Sequence, residues 1–263
     1  MQQVTLVSGP PGCGKTAWAL QAFQAHHGPR TYLRLVGDEQ EGLQQGQDSG
    51  IDLAWLQDQL PDLQSPLAAD KATKTGSGDE LIVIEVQQFR PPQVEGLDGY
   101  GAAVKRLLAE LEIRPSRVLH FGRDPELPAQ DTLEFFSLEA WHQTLAGCVW
   151  DPNSLSSFWF ELVNGAYGDV YRAKALMNLP DGRSFFCNWI VSQPGSQFLP
   201  LETIAAPQGR PKRCSELVVQ GRSLNPIGIQ STMNDCLLAD EVLAMQQQQL
   251  RNQQQRPEPA SIR

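Results

Sequence analysis

Eight residues near the start of the chain, Gly9-Pro10-Pro11-Gly12-Cys13-Gly14-Lys15-Thr16, have the spacing G-x-x-x-x-G-K-[ST] of a phosphate-cradling loop. The glycines let the backbone curl until successive N–H groups point inward at phosphate oxygens, and Gly14 leaves room for the phosphate itself. Lys15 then reaches the β- and γ-phosphates, and the Thr16 hydroxyl becomes a ligand for Mg²⁺. Gly9, Gly12, Cys13, Gly14, Lys15 and Thr16 are therefore the candidate nucleotide-binding residues. Cys13 is read in two ways: a small residue at a variable position of the loop, or a thiol whose oxidation blocks binding.

Such a loop works only where a buried strand delivers it and a helix starts after it, because the helix N-terminus supplies free N–H groups. Val4-Thr5-Leu6-Val7 is a short apolar run, and Ala17 to Phe23 are good helix formers. Gly28-Pro29 ends that helix, and Thr31 to Val36 reads as a second strand. The acidic, glutamine-rich stretch Gly37 to Ser49 contains Asp38, Glu39, Glu41 and Asp48. It is read either as a switch segment meeting Mg²⁺ and phosphate or as a solvated loop. Ile51 to Leu56 predicts a short helix stopped by Pro61, followed by a polar loop over 62–79.

Leu81-Ile82-Val83-Ile84 is a continuous apolar run, the pattern of a strand buried on both faces. Glu85 follows it. A carboxylate at the end of a central strand, in a chain with a phosphate loop, is placed to orient water or to meet Mg²⁺ through water. Glu85 is accordingly the candidate catalytic residue beside Lys15; the alternative is a buried acid satisfied by backbone groups. Tyr100 to Leu111 predicts a helix, Val118 to Phe121 a strand ahead of Gly122-Arg123-Asp124, and Glu134 to Leu145 a further helix. This order predicts an α/β domain over 1–147, with a mostly parallel sheet and helices on both faces.

The second half has a different rhythm. Leu155 to Asn164 predicts a helix ended by Gly165. Val170 to Leu176 alternates like a half-exposed strand, Pro180-Asp181-Gly182 turns, and Ser184 to Val191 returns. Leu217 to Gly221 predicts another strand. Asn225-Pro226 starts a helix over 227–245, with Asn as cap and Pro at the first helical position. A small α+β domain is expected over 148–245. The glutamine-rich tail 246–263 is expected to be disordered after its first turns.

Composition bounds the function. Net charge is −9, which argues against nucleic-acid binding. No run of 18 apolar residues occurs, so no membrane span is expected. The first strand begins almost at Met1, which leaves no room for a signal peptide and predicts a cytoplasmic protein. The five cysteines show no C-x-x-C pair, so no zinc knuckle is read. His26-His27 is read as a helix-end dipole partner rather than a metal ligand.

The phosphate loop, the glutamate after a later apolar strand and the small second domain together resemble the CobW-like family of P-loop GTPases, many of them linked to metal insertion or metal homeostasis. Two stretches carry the second-half resemblance. Leu155…Gly165…Asp169-Val170-Tyr171-Arg172-Ala173-Lys174-Ala175 is similar to that family's helix and R-x-K-G strand. Ser215 to Asn225 is similar to its L-V-f-I-G-r-x-L-d strand and helix start. The resemblance implies that Glu85 is the glutamate of E-x-x-G, although Val86-Gln87-Gln88 lacks the glycine. It implies that Asp124 is the base-reading aspartate of N-K-x-D, with Phe121 and Gly122 in place of Asn and Lys. It aligns Asp38 or Glu39 with the family's acidic residue after strand two, and Asp52 with the aspartate of a G-[IV]-D element. The family's metal-binding C-x-C-C is absent.

Three functions follow as expectations. The first is a nucleotide-binding protein of the CobW-like type, with GTP and Mg²⁺ as cofactors, slow hydrolysis, and a client protein docked at the second domain. The second is a P-loop ATPase or kinase. The third is a scaffold that binds nucleotide without turning it over.

Overall fold

In the first strand, alternate side chains enter two different cores. The computed structural model describes residues 2–35, 50–65, 79–89, 92–94, 96–127, 138–193, 195 and 197–254. The acidic stretch with Asp38, Glu39, Glu41 and Asp48 lies outside the described residues, as do 66–78, Glu134 and 255–263. Strand β1 (Gln3–Gly9) sits between β3 (Leu81–Gln87) and β4 (Arg117–His120), and β2 (Arg30–Leu35) flanks β3. All three pairings are parallel. Parallel neighbours need crossovers, which α1 (Lys15–Ala25), α2 (Gly50–Gln59) and α3 (Ala102–Glu110) supply.

The period-2 alternation of strands sorts the two faces. Val7, Tyr32 and Val83 pack with Ala19 and Phe23 of α1 and Leu56 of α2. Val4, Leu6, Leu33, Leu35, Ile82, Ile84 and Val86 pack with Tyr100 and with Val104 and Leu108 of α3. The class expected from the sequence, an α/β fold with a parallel sheet and helices on both faces, is the one observed.

The second sheet has the order β5-β9-β6-β7-β8: β5 (Glu139–Thr144), β6 (Asp169–Asn178), β7 (Ser184–Ile190), β8 (Gln197–Pro200) and β9 (Glu216–Arg222). It is antiparallel where β6 meets β9 and where β7 meets β8. Ala173, Ala175, Met177, Cys187, Leu217 and Val219 form one wall of its core. Leu155, Phe158, Trp159 and Leu162 of α4 (Pro152–Val163) and Ile229 and Met233 of α5 (Pro226–Asp235) close it. Asn225 caps α5 as read, its Oδ1 accepting from Gly228 N at 3.0 Å. The chain divides into two compact units, Met1–Ala140 with Ile190–Pro194 and Trp141–Trp189 with Gly195–Arg263.

Two sequence expectations need correction. The helix expected over Glu134 to Leu145 is, in its described part, strand β5. Its residues pair at the edge of the second sheet, where His142 Nε2 meets Glu216 Oε1 at 2.5 Å, and that pairing overrides the local helix propensity. The helix expected over 227–245 breaks after Asp235. Leu238 N donates to Val149 O at 2.8 Å, which draws the chain away before α6 (Asp240–Gln254) begins. The tail from Gln246 is expected to be disordered only after its first turns, and its described part, 246–254, is helical. Gln247 grips the Gly209 backbone, accepting from its N at 2.7 Å and donating to its O at 2.9 Å, while Arg251 donates to Pro207 O at 2.6 Å.

Candidate functional site

The loop leaves β1 through two left-handed turns, Gly12 at φ 78° and Gly14 at φ 92°, where a side chain would be strained. Gly14 caps α1, so Lys15 and Thr16 occupy its first turn. The Lys15 side chain folds back across its own loop. Its Nζ donates to Gly9 O at 3.0 Å and Pro10 O at 2.9 Å, and lies 4.0 Å from Glu85 Oε1. Lys15 is only 4% exposed, so this ammonium is held by the loop's own carbonyls inside the protein.

Thr16 is hemmed by two acids. Its Oγ1 lies 3.0 Å from Asp52 Oδ1 and 3.2 Å from Glu85 Oε2. A hydroxyl has one proton, so it satisfies one of these oxygens at a time. Both carboxylates are buried, Asp52 at 2% and Glu85 at 5% exposure, and each has a second donor. Tyr32 OH donates to Glu85 Oε2 at 2.8 Å, and Arg34 Nη1 donates to Asp52 Oδ2 at 2.8 Å. One hydroxyl and two carboxylates form a hard oxygen set of the kind Mg²⁺ takes. Lys15 and Arg34 balance the two negative charges. Glu85 lies within β3, two residues short of its end, opposite Val7 and Arg34 in register. Alternation therefore turns it to the α1 face.

The other side of β1 carries a second polar group, absent from the sequence reading. Ser8 Oγ lies 2.6 Å from Tyr100 OH and 2.8 Å from His120 Nδ1, and donates to Leu119 O at 3.2 Å. His120 is fully buried and, among the described residues, its Nε2 meets no hydrogen-bond partner. Burial, then the charges of Arg123 and Lys15, lower its pKa from 6.5 to about 4. The native imidazole thus refuses a proton that the unfolded chain accepts. Its contribution to stability is complete above pH 6.5 and is lost as pH falls toward 4, by about 3 kcal/mol over the window. Denaturant midpoints of wild type and His120→Gln at pH 7 and pH 4.5 check this: the variant should lose much less stability on acidification. An equal loss in both would remove His120 as the cause.

Asp124 stands just past β4, but its carboxylate closes on its own chain. Oδ2 accepts from His120 N at 2.6 Å and from Arg123 Nη2 at 2.7 Å. Burial pushes this carboxyl up; the Arg123 and His120 N–H bonds outweigh burial and hold it below the ordinary value. Burial pushes the Cys13 thiol up, and the smaller pull of Lys15 toward thiolate does not reverse it. At 3% exposure Cys13 is a packed residue of the loop.

The structure thus brings Lys15, Thr16 and Glu85 together and adds Asp52, Tyr32 and Arg34. Asp124 stands outside that cluster of contacts. Asp52 was named in the sequence only through a family resemblance. Tyr32 and Arg34 left one signal, their i, i+2 spacing in a strand. Among the described residues, no group of three or more His, Cys, Asp or Glu is arranged to hold a metal ion, and no helix is long and apolar enough to cross a membrane.

No family model and no curated protein matches the chain. Among solved structures, the chain is similar to the Zn(II)-bound YjiA GTPase from E. coli, at 14% identity over 89% of this chain and 98% of that one, with a TM-score of 0.33. A Zn(II)-bound triple mutant of YjiA gives the same figures: 14% identity, 89% and 98% coverage, TM-score 0.33.

Proposed function

We propose that the chain binds a nucleoside triphosphate with Mg²⁺, GTP before ATP, and hydrolyses it slowly. The observation that carries this reading is the closure of Asp52 and Glu85 on the Thr16 hydroxyl beside Lys15, at the mouth of a glycine-turned loop. Backbone N–H groups of residues 12–16 hold the phosphates. Lys15 exchanges its carbonyl partners for β- and γ-phosphate oxygens. Thr16, Asp52 and Glu85, the last through water, would hold Mg²⁺, which when bound would neutralise charge on the phosphates. Glu85 Oε1 orients the attacking water in line with the γ-phosphate. Rate enhancement comes from positioning and electrostatics, with no covalent intermediate.

The guanine preference rests on Asp124. A carboxylate that accepts from one guanidinium can accept instead from the two adjacent N–H donors of guanine, if Arg123 swings away. The same observation favours a second reading. With Asp124 closed on Arg123 and His120 N, and with Val86-Gln87-Gln88 where a switch glycine would stand, the chain binds ATP equally well or binds without turnover. In either case we assign the second half, as a CobW-like domain, to docking a client protein in the cytoplasm, with any link to metals running through that client.

Calorimetric titration of the full chain with slowly hydrolysed GTP and ATP analogues, each with Mg²⁺, tests the reading. Tighter GTP binding is expected. Equal affinity or an ATP preference would move the second reading to the front, and binding of neither would end both.

A further inference from the structure

Strand β2 lies beside β3, and Arg34 stands directly opposite Glu85 in register. The simplest ion pair would join these two. The structure does something else: Arg34 reaches past Glu85 to Asp52 on α2, at 2.8 Å, and leaves Glu85 to the phenol of Tyr32, also at 2.8 Å. Tyr32 and Arg34 are two residues apart, so they share one face of β2, while Leu33 and Leu35 between and after them enter the opposite core.

The geometry points to β2 as the outer shell of the cation site, with Tyr32 and Arg34 as positioning residues for Glu85 and Asp52. This inference rests on the Mg²⁺-nucleotide reading above. Each carboxylate has one oxygen turned to Thr16, Asp52 through Oδ1 and Glu85 through Oε2. Arg34 takes Asp52 Oδ2, the oxygen that Thr16 does not use, and so fixes which one faces the cation. Tyr32 takes Glu85 Oε2 and so fixes the tilt of that carboxylate against Thr16. Donors behind ligating groups set their orientation, and losing one typically costs 10–100-fold in metal affinity.

The two donors differ in kind. A neutral phenol leaves the full charge of Glu85 available to a cation, whereas a guanidinium shares the charge of Asp52. Tyr32 is fully buried and cannot swing out, while the Arg34 side chain is 27% exposed. The strongly fixed partner therefore stands behind the acid assigned to water, and the exchangeable one behind the acid that meets only the cation.

The test uses full-length wild type, Tyr32→Phe, Arg34→Met and Arg34→Lys, with whichever labelled triphosphate analogue binds tighter. Binding is measured in EDTA and across a Mg²⁺ titration. Expected are unchanged affinity in EDTA and a Mg²⁺ midpoint raised about 10-fold or more in Tyr32→Phe and Arg34→Met, with partial recovery in Arg34→Lys. A merely structural role would instead lower the unfolding temperature and the EDTA affinity together, and that outcome overturns the proposal. Tyr32→Phe keeps the buried ring, so it carries the test if Arg34→Met fails to fold. A Mg²⁺-dependent wild type with unmoved variants overturns the outer shell alone. A wild type indifferent to Mg²⁺ overturns the cation site and the outer shell with it.

Discussion

Replacing Lys15 by alanine is expected to remove binding of the Mg²⁺-triphosphate while leaving the protein folded. The ammonium sits on the Gly9 and Pro10 carbonyls, inside the curve where phosphate oxygens would lie. A unit charge about 4 Å from phosphate, in a site of intermediate dielectric, is worth about 4 kcal/mol, or about a thousandfold in affinity. The folded state loses much less. Two backbone carbonyls lose a donor, and Glu85 loses a cation 4.0 Å away but keeps Tyr32 and Thr16. Calorimetry with the analogue, paired with thermal unfolding, separates the two effects. Binding within a few-fold of wild type would overturn the phosphate-loop reading, because no other described cation shares that loop. Lys15→Arg makes a useful contrast: it keeps the charge but is too bulky for a pocket where Lys15 is already 4% exposed.

The loop was legible because its chemistry and its supports are local. The apolar run before it is a strand, the alanine-rich run after it a helix, and neither needs a distant partner to be recognised. The same holds for Asn225-Pro226, where a cap and a fixed φ announce a helix start. Glu85 was legible as a charge beside a buried run, but its direction was not; that follows from the pleat and the register with β1 and β2. Asp52 belongs to the site only because α2 packs across the same face of the sheet as α1, and sequence spacing does not encode that contact. Tyr32 and Arg34 became visible once β2 was seated beside β3. Strand β5 was misread because Glu139 to Thr144 has too little apolar alternation to oppose a helix, and its partner β9 begins at Glu216, 72 residues beyond Thr144. Asp124 was recognised by type, but its commitment to Arg123, its own neighbour, depends on side-chain geometry alone.

Glu85→Gln is expected to slow hydrolysis by about 100-fold or more at saturating Mg²⁺ while the triphosphate still binds. The amide matches the carboxylate in shape and its oxygen can keep the Tyr32 hydroxyl, so the buried position is not emptied. What it loses is the charge that draws a proton from water and helps hold Mg²⁺. The Mg²⁺ midpoint should therefore rise as well, and single turnover must be read above it to isolate the chemical step. Asp52→Asn separates the two contributions. Asp52 touches Thr16 and Arg34, so its loss should raise the Mg²⁺ midpoint and leave the saturated rate less affected than the loss of Glu85. Unchanged turnover in Glu85→Gln would remove this residue from the mechanism and return it to the role of a buried acid satisfied by Tyr32 and Thr16. A wild type that binds but does not turn over would give the pair a different meaning. Two carboxylates on one hydroxyl, each held from behind by β2, would then retain Mg²⁺-nucleotide as a fixed structural element, and Glu85→Gln would read out as faster nucleotide release.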